Sequence, residues 1–152
     1  MTSDVYWETA GIAAGVSIVI NIGGWWINHH LAMNRQKRSE AKDKMTRTID
    51  AIRLFRDKSC EYWAKNGSSP ECILIEGEMH SLADDFLTEL DALKRQFKCF
   101  EFVSGIRLKQ AATGYDFADP NRIASNPRCN DIRAKSQSIV TSIEEAFSRS
   151  FH

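Results

Sequence analysis

Residues 10–27 read AGIAAGVSIVINIGGWWI, a run without a single charged side chain. A helix rises about 1.5 Å per residue, so this run would reach about 27 Å, close to the hydrocarbon thickness of a bilayer. The pattern predicts a transmembrane helix. Trp25 and Trp26 close it, where indoles favour the headgroup boundary. Asp4 and Glu8 precede the run, and Arg35, Lys37, Arg38, Lys42 and Lys44 follow it. A secretory signal peptide carries its positive charge first, and a helix lying on the membrane surface carries a charged face. Neither fits. By the positive-inside rule the chain is expected to cross the inner (plasma) membrane once, with a short outside N-terminus and a cytoplasmic C-terminal domain.

Within this run Ala10, Ala14, Ser17, Asn21, Gly24 and Asn28 recur three and four positions apart, a stripe of small and polar residues along one helix face. Gly11 and Gly15 add a G-x-x-x-G beside it. In lipid, helices associate through close backbone approach at small residues and through hydrogen bonds between buried polar groups. Gly11, Ala14, Gly15, Ser17, Asn21 and Gly24 are therefore the expected self-association face, pointing to a homo-oligomer in a lipid bilayer. The same stripe would also suit a water-accessible path. His29 and His30 follow at the inner boundary and read as polar boundary residues.

Beyond residue 33 the apolar spacing stays helical. Ala41, Met45, Ile49, Ile52, Phe55, Cys60 and Trp63 fall near one face of a helix over residues 34–65. No Pro or Gly interrupts residues 25–66, so this helix and the first are expected to join as one rod. Asn66, Gly67, Ser68, Ser69 and Pro70 form a stop and a turn. Pro70 suits the first position of the next helix, with Glu71 in its first turn. Met79, Leu82, Phe86, Leu90, Leu93, Phe97 and Phe100 carry that helix to about residue 103. Residues 104–129 break the pattern with Gly105, Gly114, Pro120 and Pro127, and IRL near residue 106 could form a short strand. Ile132, Ile139, Ile143, Phe147 and Phe151 give a last helix over about 130–151. The predicted fold is all-α: residues 1–33 as outside N-terminus and transmembrane helix, then a cytosolic bundle of about three helices over 34–152.

Charge refines this picture. Lys+Arg is 20 and Asp+Glu is 20, a formal balance of zero that argues against a DNA-binding role. The distribution is uneven: residues 35–58 are basic and residues 71–101 acidic, which predicts antiparallel packing of the two helices or a basic flank on anionic lipid. The four cysteines, Cys60, Cys72, Cys99 and Cys129, form no C-x-x-C and no zinc-ligand spacing. They read as reduced thiols; a Cys60–Cys72 bridge is the alternative in an oxidising compartment.

No phosphate-binding loop, dinucleotide fingerprint, nucleophile elbow or zinc-protease motif is present. Asp84–Asp85 and Glu144–Glu145 read as solvated faces, and His80 as an edge or surface histidine. No nucleophile, base and orienter can be assembled, so no enzyme, cofactor or metal is expected. The 104–129 loop is the best candidate for a binding site. It and the residues just after it hold Arg107, Lys109, Arg122, Arg128 and Arg133, with Tyr115 and Phe117 interleaved. Guanidinium groups grip phosphates through paired hydrogen bonds, and aromatic rings stack on bases. Arg107, Lys109, Tyr115, Arg122, Arg128 and Arg133 are thus the candidate ligand-binding set for a small, nucleotide-like anion. The competing reading is an ordinary polar loop whose arginines pair with Asp116, Asp119 and Asp131.

A single span with the Ala14–Ser17–Asn21–Gly24 stripe, leading into a small cytosolic helical domain, resembles the membrane effectors of bacterial antiviral systems. Among these are the cyclic-oligoadenylate-responsive ancillary effectors of type III CRISPR systems. The resemblance implies that a cyclic nucleotide binds the cytosolic oligomer and that the membrane helices then rearrange to disrupt the bilayer. Two functions follow as expectations. The first is a non-enzymatic oligomeric membrane effector that senses an anionic ligand or partner. The second is a membrane-tethered adaptor whose helical domain docks another protein.

Overall fold

In the computed structural model the described residues are 3–96 and 104–151, with side chains described at 21, 24–96 and 104–151. All regular structure among them is helical: α1 Ser3–Trp63, α2 Pro70–Gln96, α3 Gly105–Thr113 and α4 Asn126–Ser150. The chain divides into two compact units, residues 1–40 and 41–152.

In the first unit every described side chain is exposed, including Trp25, Trp26, Ile27, Leu31 and Met33. Trp25 stacks on His29 and Trp26 meets His30 edge-on, each pair one helical turn apart.

The expected transmembrane helix is corrected. Among the described residues no helix is long and apolar enough to cross a membrane. A span needs about 20 predominantly apolar residues. From Gly24 onward α1 meets Asn28, His29, His30, Asn34 and Arg35 within three turns. The side chains of residues 10–20, 22 and 23, which carry most of the apolar run, lie outside the described residues. The single-pass inner-membrane placement, with the N-terminus outside, is overturned with the span.

The second unit is a helical bundle. The α1 residues in it bury Thr48, Ile52, Phe55, Ser59 and Tyr62 at spacings of four and three, with Ile49, Cys60 and Trp63 alongside. The buried Ser59 hydroxyl is satisfied by donating to the Phe55 carbonyl at 2.7 Å. α2 buries Cys72, Ile75, Met79, Ala83, Phe86, Leu90 and Leu93 against this face. The two helices run antiparallel, as the cross-links show. Lys65 pairs with Glu71, the Tyr62 hydroxyl donates to Glu76 at 2.8 Å, Lys58 pairs with Glu78 at 2.9 Å, and Phe55 packs on Phe86 at 4.8 Å. Numbers fall on one side as they rise on the other. The basic helix thus packs against the acidic one.

Two elements differ from the sequence reading. Residues 105–113, expected to be irregular with a short strand, form α3. Leu108, Ala111 and Ala112 repeat at helical spacing and are buried. Gly105 starts α3 tight against α2: a Cβ there would stand 2.8 Å from Leu90 Cδ2 and 2.9 Å from Leu87 Cδ2, so those side chains would have to shift to admit one. α4 begins four residues earlier than expected, with Pro127 in its first turn, where a missing N–H costs nothing. The expected extension of α2 to residue 103, with Phe97, Cys99 and Phe100, falls outside the described residues.

The α3–α4 loop folds back over the end of α1. A helix leaves its last carbonyls without intrahelical partners. Here Ser125 N–H donates to the Trp63 carbonyl at 2.8 Å, and Arg122 donates to the Tyr62 carbonyl at 3.0 Å and the Lys65 carbonyl at 2.7 Å. Gly67 N–H donates to the Arg122 carbonyl at 2.9 Å. The approach is so close that a Cβ on Gly67 would lie 2.1 Å from the Asp119 carbonyl oxygen.

Candidate functional site

The arginines separate into distinct environments. Arg122 is only 4% exposed. Its guanidinium lies 3.8 Å over the Tyr62 ring and 4.8 Å over the Trp63 ring, and Nη2 also donates to Cys72 Sγ at 3.3 Å. It serves the end of α1, where a cation is favoured by the helix dipole. Its Nε is buried without a partner among the described residues. Lys109, expected in the ligand set, reaches across to α2 and pairs with Asp84 at 2.9 Å. Arg133 is exposed on α4 and lines neither cleft.

Arg107, Tyr115 and Arg128 are brought together. A cleft of about 330 Å³ between α3 and α4 is lined by these three with Gln110, Asp131 and Lys135. A second cleft of about 340 Å³, lined by Trp63, Asp116, Ser125 and Pro127, shares Arg128 and Asp131 with the first. Arg128 is the common wall. Its guanidinium sits 4.8 Å from the Trp63 ring centre and 4.4 Å from that of Tyr115. It donates to the Gly114 carbonyl at 3.3 Å and lies 3.5 Å from the Asp116 carboxylate. Asp131 is paired with Lys135 one turn on. The exposed Arg107 side chain makes no hydrogen bond or ion pair with the described residues.

Tyr115 is 93% exposed and sits at φ 61°, with Ala118 at φ 64°. Left-handed backbone costs a residue with a Cβ about 1–2 kcal/mol, and such positions gather at functional sites. Here the left-handed residue carries an exposed aromatic ring beside a guanidinium. Phe117, two residues on, turns inward against Tyr62 at 5.0 Å and His80 at 5.5 Å.

Gln110, Asp131 and Lys135 are absent from the sequence-derived set. Their signal was present: 107 and 110 lie one turn apart, as do 128, 131 and 135, but only on helices over 105–113 and 126–150. Asp84, Asp85, Glu144 and Glu145 are exposed. In the expected association stripe, Asn21 and Gly24 are exposed, and a Cβ on Gly24 would meet nothing within 4 Å. The side chains of Gly11, Ala14, Gly15 and Ser17 lie outside the described residues. Among the described residues no group of three His, Cys, Asp or Glu could hold a metal ion. No protein-family model, curated protein or solved structure matches the chain.

Proposed function

We propose that residues 41–152 form a non-enzymatic sensing module that takes a small, nucleotide-like anion in the cleft between α3 and α4. The observation that carries this reading is the exposed Tyr115 ring, held on left-handed backbone beside Arg128 in a cleft that Arg107 also lines. A planar base stacks on Tyr115, and phosphate oxygens take the guanidinium of Arg107. The one carboxylate of the cleft, Asp131, is already paired with Lys135, and Asp116 in the adjoining cleft with Arg128, so neither is offered as a proton-transfer group. A nucleotide, which presents phosphate and base together, is the ligand class this arrangement favours, and a cyclic oligonucleotide is the member proposed from the resemblance of the chain's layout to cyclic-oligoadenylate-responsive effectors. Calorimetric titration of the full chain with a cyclic oligoadenylate tests it. Binding weakened at least tenfold by Arg107→Gln supports the reading, and no binding by the unsubstituted chain defeats it.

Residues 24–40 have their own part in this proposal. A helix exposed on every side keeps little stability by itself, and Trp25, Trp26, Leu31 and Met33 stand in water. We propose that these segments associate between copies of the chain and so carry ligand binding from one copy to the next. Sedimentation of the full chain should give a defined oligomer that Trp25→Ser with Trp26→Ser dissociates; a monomer at all concentrations would refute it.

A second reading, an adaptor that docks another protein, is favoured by one observation. Ile73, Leu74 and Ile123 are each at least 70% exposed although large and apolar. Under that reading Ile73→Ser with Leu74→Ser abolishes function, whereas Arg107→Gln leaves it intact.

A further inference from the structure

Cys60 and Cys129 are buried side by side where the last turn of α1 meets the first turn of α4. Each thiol faces the other residue's backbone: Cys60 Sγ lies 3.7 Å from the Cys129 carbonyl oxygen, and Cys129 Sγ 3.5 Å from that of Cys60. This reciprocal arrangement sets the two backbones close, with both side chains directed into the gap between them, as a disulfide requires. The partner expected for Cys60 in the sequence was Cys72, but that thiol is engaged elsewhere, with the Asn66 carbonyl at 3.3 Å and with Arg122.

We infer that Cys60 and Cys129 are a thiol pair that a hydroperoxide converts into an intramolecular disulfide, locking α1 to α4 beside the cleft. The Cys60 thiolate attacks hydrogen peroxide: an S–O bond forms as the O–O bond breaks, leaving a sulfenic acid and, with a proton, water. Cys129 sulfur then attacks the sulfenic sulfur. The S–S bond forms, the S–O bond breaks, and the departing hydroxide takes the Cys129 proton to leave as a second water. Two thiols have lost two electrons and two protons, and the peroxide has gained them. Cys60 is taken as the first to react because it is the more exposed of the two, 8% against 5% for Cys129. Burial pushes its thiol above the ordinary value, chiefly by desolvation and then by Cys129, so the first step is slow at neutral pH and quickens in alkali.

The bridge would also bear on the cleft. Cys129 follows Arg128 directly, and Cys60 lies one turn before Trp63, the ring that Arg128 covers. Oxidation therefore fixes the wall shared by the two clefts, whether or not a ligand binds there.

The test is peptide mapping of the reduced full chain after hydrogen peroxide treatment, alkylation of remaining thiols and tryptic digestion. The expected product joins peptide 59–65 to peptide 129–133 with the loss of two hydrogens. The thermal midpoint should rise by roughly 10 °C, as for a bridge closing a loop of this length. Cys60→Ser and Cys129→Ser should each abolish that rise, and Cys72→Ser should retain it. Peroxide that yields only sulfinic acids, or bridges through Cys72 or Cys99, overturns the inference. Because the map is made on the unsubstituted chain, a variant that fails to fold does not rescue it.

Discussion

Arg122 lies 3.8 Å over the ring of Tyr62 and donates a 3.0 Å hydrogen bond to the carbonyl of that same residue. One guanidinium thereby covers the aromatic face and closes the backbone at the end of α1. A buried cation without a carboxylate is costly unless carbonyl oxygens and π-faces replace the water it has lost. Here Tyr62, Trp63 and Lys65 supply them.

Removing that guanidinium should damage the fold. Arg122→Met leaves the Tyr62 and Lys65 carbonyls without their partner and opens the ring contacts, at a cost of about 2–4 kcal/mol. Urea unfolding of the variant should show it. A loss below about 0.5 kcal/mol would mean that the loop holds without its arginine.

Gly67→Ala should also destabilise, by at least about 1–3 kcal/mol, because the added Cβ would meet the Asp119 carbonyl at 2.1 Å. Gly77→Ala is the control: nothing lies within 4 Å of its Cβ position, so helix propensity should make it neutral or stabilising by up to about 1 kcal/mol. Parallel thermal melts of the two variants distinguish packing from backbone freedom.

Stability should fall in alkali. Burial raises the Tyr62 phenol above its ordinary 10.0 and the Cys60 thiol above its ordinary 9.0. A raised folded value means that the folded chain holds its proton when the unfolded chain has released it. The contribution is therefore complete below about pH 9 and is lost as pH rises through the folded values. Glu61 works in the opposite range. Hydrogen bonds from Lys65 and Lys58 hold its carboxyl below 4.5, so its small, solvent-screened contribution is present above 4.5 and lost as pH falls through the folded value. Unfolding midpoints in urea at pH 3, 7 and 11 should form a dome, and Tyr62→Phe should flatten its alkaline side.

Much of the bundle was legible in the apolar spacing. Ile49, Ile52, Phe55, Cys60 and Trp63 in α1, Met79, Phe86, Leu90 and Leu93 in α2, and Ile132, Ile139 and Ile143 in α4 are all buried as their periodicity required. α3 was not legible, since nine residues, beginning at one glycine and ending before another, give a helix too little length to declare its period. The role of Arg122 was also invisible: sequence places it among loop cations, and only tertiary contact brings it to the end of α1, dozens of residues away. The run at residues 10–27 was read as a span from its lack of charge, its tryptophan boundary and its basic flank, but among the described residues no helix is long and apolar enough to cross a membrane. Arg107, Tyr115 and Arg128 were found from residue type, but their company with Gln110 and Lys135 needed the two helix boundaries.

The central claim is that Tyr115 and Arg107 receive a nucleotide-like anion. Its most direct test is titration of the full chain with a cyclic oligoadenylate, followed by tryptophan fluorescence and calorimetry, beside Tyr115→Ala and Arg107→Gln. The account predicts saturable binding that each substitution weakens at least tenfold while the thermal midpoint stays within about 2 °C, since both side chains are exposed. Binding of equal strength in all three chains, or none in the unsubstituted one, would contradict it.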